Sequence, residues 1–121
     1  MLKPQVDEKV RRVTEMLGRA EEKHYPVVLV RVADDGGLWW VQDPVQMGKG
    51  GYFKAIVRFG NDKTPSGTKF QVVVVTPRFS REAVGLKPGN SLADLPRGIA
   101  RSKLLSVELE RPGEQKAQGA E

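Results

Sequence analysis

Residues 52–59 carry the strongest structural signal in this chain of 121 residues. Every second position from Phe53 to Phe59 is apolar, and the alternate positions of the run include Tyr52, Lys54 and Arg58. This two-residue period is typical of a β-strand with one face buried and one face in solvent. The core of the fold therefore begins at this strand.

Two further β-type runs, 38–42 and 68–76, flank that strand, and the loops between the runs are rich in Gly, Asp and Pro. In the later run Phe70 and Val74 fall on one face, while Val73 and Val75 make the other face apolar as well. A strand that is apolar on both faces is typical of the centre of a sheet. We therefore predict that 68–76 is a central strand covered on two sides, with an N-terminal helix as one candidate cover.

Residues 27–33 and 38–42 are predicted to form a β-hairpin. The first run is β-branched over most of its length, and Asp34, Asp35, Gly36 and Gly37 between the two runs suit a tight reversal. A final strand is predicted at Leu105–Leu109, where apolar and polar residues alternate again. Between 78 and 102 the periodicity is lost, and four apolar residues are expected to anchor this connection to the sheets: Leu86, Leu92, Leu95 and Ile99.

Residues 5–23 have the spacing of an amphipathic α-helix. Apolar residues recur at intervals of four and three, at Val6, Val10, Val13, Leu17 and Ala20, and the other positions are mostly charged. Such a stripe serves equally for packing on the sheet and for pairing with a partner or a second copy of the chain. The sequence leaves both interpretations open.

These elements together predict a mainly β fold, a small antiparallel β-sandwich preceded by one amphipathic α-helix. The expected division is 1–24 for the helix, 25–111 for the β-sandwich domain and 112–121 for a disordered tail, because the last ten residues contain no large apolar side chain.

The composition argues against an enzyme. The chain contains no cysteine and one histidine, His24, which the helix prediction places at a helix end. No nucleophile, general-base pair or cluster of metal ligands is evident, so we expect no catalytic activity, no metal and no cofactor. No apolar run approaches the ~20 residues that a spanning helix needs, and no secretory signal is evident at the N-terminus. A cytoplasmic protein without membrane contact is therefore expected.

A protein partner is the leading functional hypothesis, and the candidate contacts are aromatic or belong to the predicted helix. Neighbouring Trp39 and Trp40 must point to opposite faces of a strand, so one of them is expected to face outward near Tyr52. That aromatic face is either a contact site or is covered by the helix. The candidate contact residues are Trp39, Tyr52, Val10 and Val13, the last two of which would also serve a homo-oligomer formed through the helix.

Nucleic-acid binding is the alternative hypothesis. The whole chain carries a net charge of +5, yet the segment 63–103 alone holds eight Lys and Arg residues against two acidic ones. Such an excess can attract a polyanion, although no aromatic-basic signature accompanies it. The candidate contacts are Lys63, Arg78, Arg81, Arg97, Arg101 and Lys103.

Four stretches, 40–44, 51–60, 67–74 and 95–102, resemble a small uncharacterised module of prokaryotic multidomain proteins, over about residues 27–109. In such modules an aromatic-Val-Gln-Pro strand, a Gly-aromatic strand ending in Gly and a Leu-Pro-x-Gly…Ser segment form the framework of an immunoglobulin-like β-sandwich. The resemblance implies an accessory or interaction role in a larger assembly and transfers no catalytic or binding residue. The chain departs from the pattern at its start, where a charged helix is predicted in place of leading strands.

Overall fold

A computed structural model of the chain describes residues 9–20, 26–33, 37–60, 63–77, 86–96, 99, 101–102 and 104–110. A 3₁₀ turn at Lys49–Gly51 precedes one of the nine strands of this part of the chain. The strands are β1 (Lys9–Val10), β2 (Val13–Arg19), β3 (Val27–Val32), β4 (Trp39–Val41), β5 (Gln46–Met47), β6 (Tyr52–Arg58), β7 (Lys69–Val75), β8 (Ser91–Leu92) and β9 (Leu105–Leu109).

The strands form two sheets. The six-stranded sheet has the order β1-β9-β7-β3-β4-β8, and the three-stranded sheet has the order β2-β6-β5. All pairs are antiparallel except β1 with β9, which is parallel. The mainly β architecture predicted from the sequence is therefore confirmed.

A main core lies between the two sheets. In β6 the buried and exposed residues alternate as predicted, and Phe59 directly after it is also buried. Phe59 meets Phe70 of β7 edge-to-face, with ring centroids 5.4 Å apart, so one aromatic pair joins the two sheets. The buried members of the main core are Val10, Met16, Val28, Val30, Phe53, Ala55, Val57, Phe59, Phe70, Val72, Val74, Leu105, Val107 and Leu109.

A second core covers the other face of the six-stranded sheet. Val73 and Val75 of β7 are buried there, so the prediction of a central strand apolar on both faces is confirmed. The described part of this cover comes from the connection after β7, because Leu86 is buried in this core and Leu92, Leu95 and Ile99 pack against it. The anchoring role predicted for those four residues is thus confirmed. The buried members of the second core are Leu29, Trp39, Val41, Val73, Val75 and Leu86.

The hairpin prediction is confirmed. Strands β3 and β4 pair antiparallel with Leu29 opposite Val41 and Val30 opposite Trp40. Directly opposite residues in such a pair share a face, so this register decides which side of the sheet each tryptophan occupies. The final strand is also confirmed, as β9, with Leu105, Val107 and Leu109 buried.

The predicted N-terminal helix is wrong for the residues that the structure describes. Residues 9–10 and 13–19 are strands, and between them the Thr14 hydroxyl donates to the Arg11 carbonyl (2.7 Å) and accepts from the Arg11 N–H (3.0 Å). Met16 and Gly18 are buried and the odd-numbered residues from 13 to 19 are not, which is a two-residue period. A helical stripe through Val10, Val13 and Leu17 fits the same residues, but pairing with β6 fixes the strand.

The packing of Gly18 explains why this position of the strand holds a glycine. Gly18 lies opposite Phe53 of β6, and a Cβ atom on Gly18 would be 2.4 Å from Cζ of that ring. The missing side chain therefore leaves the space that the ring fills.

Several predictions fall outside the described residues. Residues 1–8 and 21–24 of the predicted helix and the predicted tail 112–121 belong to this group. Within the described ranges, no helix has the length and apolar character needed to cross a membrane.

Candidate binding cleft

The two tryptophans lie on opposite faces of the six-stranded sheet. Trp39 belongs to the second core and is 2% exposed, with the Arg31 guanidinium 4.5 Å from the centroid of its ring. Trp40 is 50% exposed. Trp39 as a partner contact was therefore the wrong choice of the two, because the register of β3 and β4 turns it into the core, and Trp40 is the outward residue.

Trp40 is exposed because the two sheets differ in width. Its position opposite Val30 puts it on the face that bears the main core, yet no residue of β4 is part of that core. Strands lie about 4.8 Å apart, so a three-stranded sheet cannot cover the whole of a six-stranded one. The indole of Trp40 stands where this cover is missing.

A cleft of about 520 Å³ opens at that place. Val30, Val32 and Phe70 contribute apolar lining, and Trp40 stands beside them. The volume is within the range of about 300 to 1,000 Å³ that is usual for ligand sites in proteins. An apolar floor beside a half-exposed indole can bury an apolar or aromatic group of a ligand.

The rim of the cleft is polar and links the two sheets. Gln42 accepts a hydrogen bond at Oε1 from the backbone N–H of Arg58 (2.8 Å) and donates from Nε2 to the carbonyl of Trp40 (3.2 Å). Strand β5 pairs only with Phe53 and Lys54 of β6, so the Gln42 side chain takes the place of a longer neighbouring strand at Arg58. The position of Trp40 relative to β6 is thereby fixed.

The charged groups of the rim are accessible to a ligand. Arg58 Nη2 lies 3.5 Å from Asp43 Oδ2, and both side chains are more than half exposed. An ion pair in such a position contributes at most about 1 kcal/mol to stability. Both groups can therefore exchange this contact for polar groups of a bound molecule at little cost.

A smaller cavity of about 260 Å³ adjoins the cleft and shares Gln42 and Asp43 with it. Its other lining residues are all apolar: Pro26, Val27, Pro44, Val45, Met47, Leu86 and Pro88. The two apolar depressions therefore meet at one short segment, residues 42–43, and a ligand that reaches both must extend across it.

The other three predicted partner contacts lie away from this cleft. Tyr52 is exposed on the outer face of the three-stranded sheet, where the Arg19 guanidinium is 5.2 Å from the centroid of its ring. Val13 is exposed at the other end of β2, and Val10 is buried in the main core. Val10 is therefore not available to a partner in this fold, because β1 is held between β9 and the core.

The structure does not bring together the two predicted nucleic-acid contacts that it describes. Lys63 lies in the loop before β7, whereas Arg101 pairs with Val75 at the end of β7. The seven residues of β7 separate them by about 20 Å at 3.3 Å per residue. Arg78, Arg81, Arg97 and Lys103 lie outside the described residues.

The described residues offer no candidate metal site to the cleft. They contain no group of three or more His, Asp or Glu side chains able to hold a metal ion. The cleft combines an indole, an apolar floor, one ion pair and one side-chain amide, which is a set of binding groups. Sequence reasoning missed Gln42 and Arg58 as parts of one site; the signal was that each stands at the C-terminal end of a strand, Gln42 directly after β4 and Arg58 as the last residue of β6.

Comparison with known proteins gives no relative: no protein-family model, no curated protein and no solved structure matches the chain.

Proposed function

We propose that this chain is a non-catalytic protein-interaction module that binds an extended segment of a partner polypeptide in the cleft beside Trp40. The observation that carries the proposal is the half-exposed indole of Trp40 above the apolar lining formed by Val30, Val32 and Phe70. Trp and Arg are among the residue types that most often dominate binding energy at protein interfaces, and this cleft has both types.

An extended polypeptide fits the shape and chemistry of this surface. Its side chains can enter the cleft and the adjoining cavity in turn, while Asp43, Arg58 and Gln42 between or beside them meet its polar groups. The protein framework around the cleft is held by backbone pairing and by the Gln42 bonds, so little ordering of this chain accompanies binding.

The fold that we propose with this function is a small immunoglobulin-like β-sandwich acting as an accessory part of a larger prokaryotic assembly in the cytoplasm. The two packed sheets and the resemblance of residues 27–109 support it. The division of strands, six and three, differs from the four and three of a constant-type immunoglobulin domain. The likeness therefore concerns the layers and not the detailed topology.

Replacing Trp40 by Ala is expected to abolish most of the affinity for a polypeptide ligand while leaving the fold intact. Peptides of about twelve residues, which span roughly 40 Å when extended, would be selected from a display library against the unaltered chain and titrated by calorimetry. We expect Trp40→Ala to weaken the selected peptides about thirtyfold or more, because an anchoring indole contributes about 2 kcal/mol or more.

Tyr52→Ala is the matched control, since Tyr52 is as exposed as Trp40 but lies on the other sheet. It should change the affinity less than about twofold, and both variants should melt at the temperature of the unaltered chain. Peptides that respond to Tyr52→Ala and not to Trp40→Ala would refute the assignment of the cleft. Salt-sensitive binding of single-stranded or duplex oligonucleotides in place of peptides would favour the basic segment and nucleic acid instead.

A further inference from the structure

Among the described residues, strand β2 is an open edge of the three-stranded sheet. It is seven residues long, and within the described part of the chain it has a neighbour on one side only, β6. Natural edge strands are commonly blocked by proline, by a bulge or by a charged side chain that points inward. Val13–Arg19 contains no proline, its pairing with β6 runs without interruption, and its buried positions hold Met16 and Gly18. The strand therefore lacks these three blocking features.

The hydrogen bonds at both ends of β2 show which residues face that open edge. The Arg12 carbonyl accepts from the N–H of Phe59 (2.7 Å), and the N–H of Ala20 donates to the Gly51 carbonyl (2.8 Å). Along an antiparallel strand, residues whose backbone N–H and carbonyl groups point to the neighbouring strand alternate with residues whose groups point away from it. The even-numbered positions between Arg12 and Ala20 therefore bond to β6. The odd-numbered positions, Val13, Glu15, Leu17 and Arg19, direct their N–H and carbonyl groups to the open side.

This alternation restricts how a second copy can pair with the first. In an antiparallel pair of two β2 strands, an odd-numbered residue of one copy must lie opposite an odd-numbered residue of the other. The side chains at these positions are on the outer face in both copies, so directly opposite side chains are neighbours there. Only a few registers remain, and the charges distinguish between them.

We propose that two copies of this chain form a dimer by antiparallel pairing of their β2 strands, with Leu17 opposite Leu17 of the second copy. In this register Glu15 lies opposite Arg19 of the second copy, and the twofold axis generates the same pair again. Sliding one strand along the other to the next permitted register puts Glu15 opposite Leu17. Sliding it in the same direction to the permitted register after that puts Glu15 opposite Glu15. The proposed register is the one that matches both charges and keeps the half-buried leucines together.

The dimer is independent of the cleft beside Trp40. In the dimer, the three-stranded sheets of the two copies meet edge to edge and form one continuous sheet of six strands. The outer faces of the two three-stranded sheets then form one surface. The symmetry is closed, because each copy has one β2 edge and uses it. Failure of peptide binding at the cleft would leave this proposal untouched, and a monomeric chain would leave the cleft proposal untouched.

A charge exchange tests the register. Glu15→Arg and Arg19→Glu, each alone, put like charges opposite each other twice and should raise the dimer dissociation constant about tenfold or more in sedimentation equilibrium. The double variant Glu15→Arg, Arg19→Glu restores opposite charges and should recover the dimer. Each single variant also removes contacts within the chain, either that of Glu15 with Lys54 or those of Arg19 with the Tyr52 ring and the Gly50 carbonyl, and the double variant removes all of them. Recovery in the double variant therefore reports the contact between copies.

A single engineered cysteine gives a second test, because the natural chain has none. Opposite residues of a bonded antiparallel pair have Cα atoms about 5.5 Å apart, which is within the usual span of a disulfide. Leu17→Cys should therefore cross-link to a covalent dimer under mild oxidation. Glu15→Cys is the matched control, since position 15 of each copy faces position 19 of the other in the proposed register, and this variant should stay uncross-linked.

Three results would overturn the proposal. The first is a monomer by sedimentation at all concentrations up to about 1 mM, where even a weak dimer is populated. The second is a dimer indifferent to both single charge reversals. The third is equal cross-linking through positions 15 and 17, which would place the contact of the two copies on another surface or in another register.

Discussion

Replacing Phe70 by Ala is expected to lower the free energy of unfolding by about 3 to 5 kcal/mol, one of the largest effects of any single change in this chain. Phe70 is buried in the middle of the sheet, between Val32 of β3 and Val107 of β9, and its ring meets Phe59 of the other sheet. Removing the ring leaves a cavity that neighbours on two sheets cannot close. Urea unfolding monitored by circular dichroism would measure the loss.

A double-mutant cycle separates the aromatic contact from the cavity. Phe59→Ala, Phe70→Ala and the double variant should show a coupling energy of about 0.5 to 1.5 kcal/mol, the value of an edge-to-face pair beyond its buried area. Gln71→Ala, at a half-buried position next to Phe70 in sequence, serves as the control and should cost much less. A nearly neutral Phe70→Ala would mean that the register of β7 is wrong.

Replacing Gly18 by Ala is expected to destabilise the fold by about 1 to 3 kcal/mol, as an overpacked core does. The new Cβ would stand 2.4 Å from Cζ of Phe53, whose ring is itself buried and has little freedom to move. A helix at this position predicts the opposite sign, since Ala in a helix is favoured over Gly by about 1 kcal/mol. The sign of the change in melting temperature therefore distinguishes strand from helix.

A second substitution links this effect to the ring. Phe53→Leu removes the atoms nearest to the new Cβ, so Gly18→Ala should cost less in a Phe53→Leu background than in the natural chain. A cost that is the same in both backgrounds would show that the strain arises elsewhere. Stabilisation by Gly18→Ala in the natural chain would contradict the pairing of β2 with β6.

Strands with clear local alternation were predictable from the sequence. Tyr52–Arg58, Lys69–Val75 and Leu105–Leu109 each carry enough apolar residues at two-residue spacing to exclude a helix. The hairpin of β3 and β4 was predictable because its turn residues stand between two β-type runs. The anchors Leu86, Leu92, Leu95 and Ile99 were predictable because large apolar residues in a polar connection need cover.

The N-terminal strands could not be predicted from their own residues. In the segment 9–20 the helical stripe runs through Val13 and Leu17, whereas the buried face of the strand holds Met16 and Gly18, and the decision between the two comes from β6, which is distant along the chain. Gly18 counts against a helix only weakly until Phe53 is known to lie opposite it. The prediction failed because tertiary pairing overrode the local pattern.

Part of the candidate site was predictable and part was not. The sequence required that one tryptophan of the pair face outward, but only the register of Val30 with Trp40 decides which one. The cleft itself exists because the two sheets have unequal widths. These widths depend on which strands pair with each other, and no single stretch of the sequence determines that pairing. The same holds for Lys63 and Arg101, which belong to one basic segment of the sequence but stand at opposite ends of β7.

The parallel pairing of β1 with β9 also sets an order of events during synthesis. Lys9 lies opposite Glu108, so β1 cannot pair with β9 until all of the chain between them has been made. Until β9 arrives, the open edge of β7 is exposed as well, since β9 stands between β7 and β1. Closure of contacts so distant in sequence is slow. Until β9 is made, β1 and this edge of β7 therefore both lack the strand that pairs with them, and a chain stopped before Leu105 keeps both as sites of aggregation.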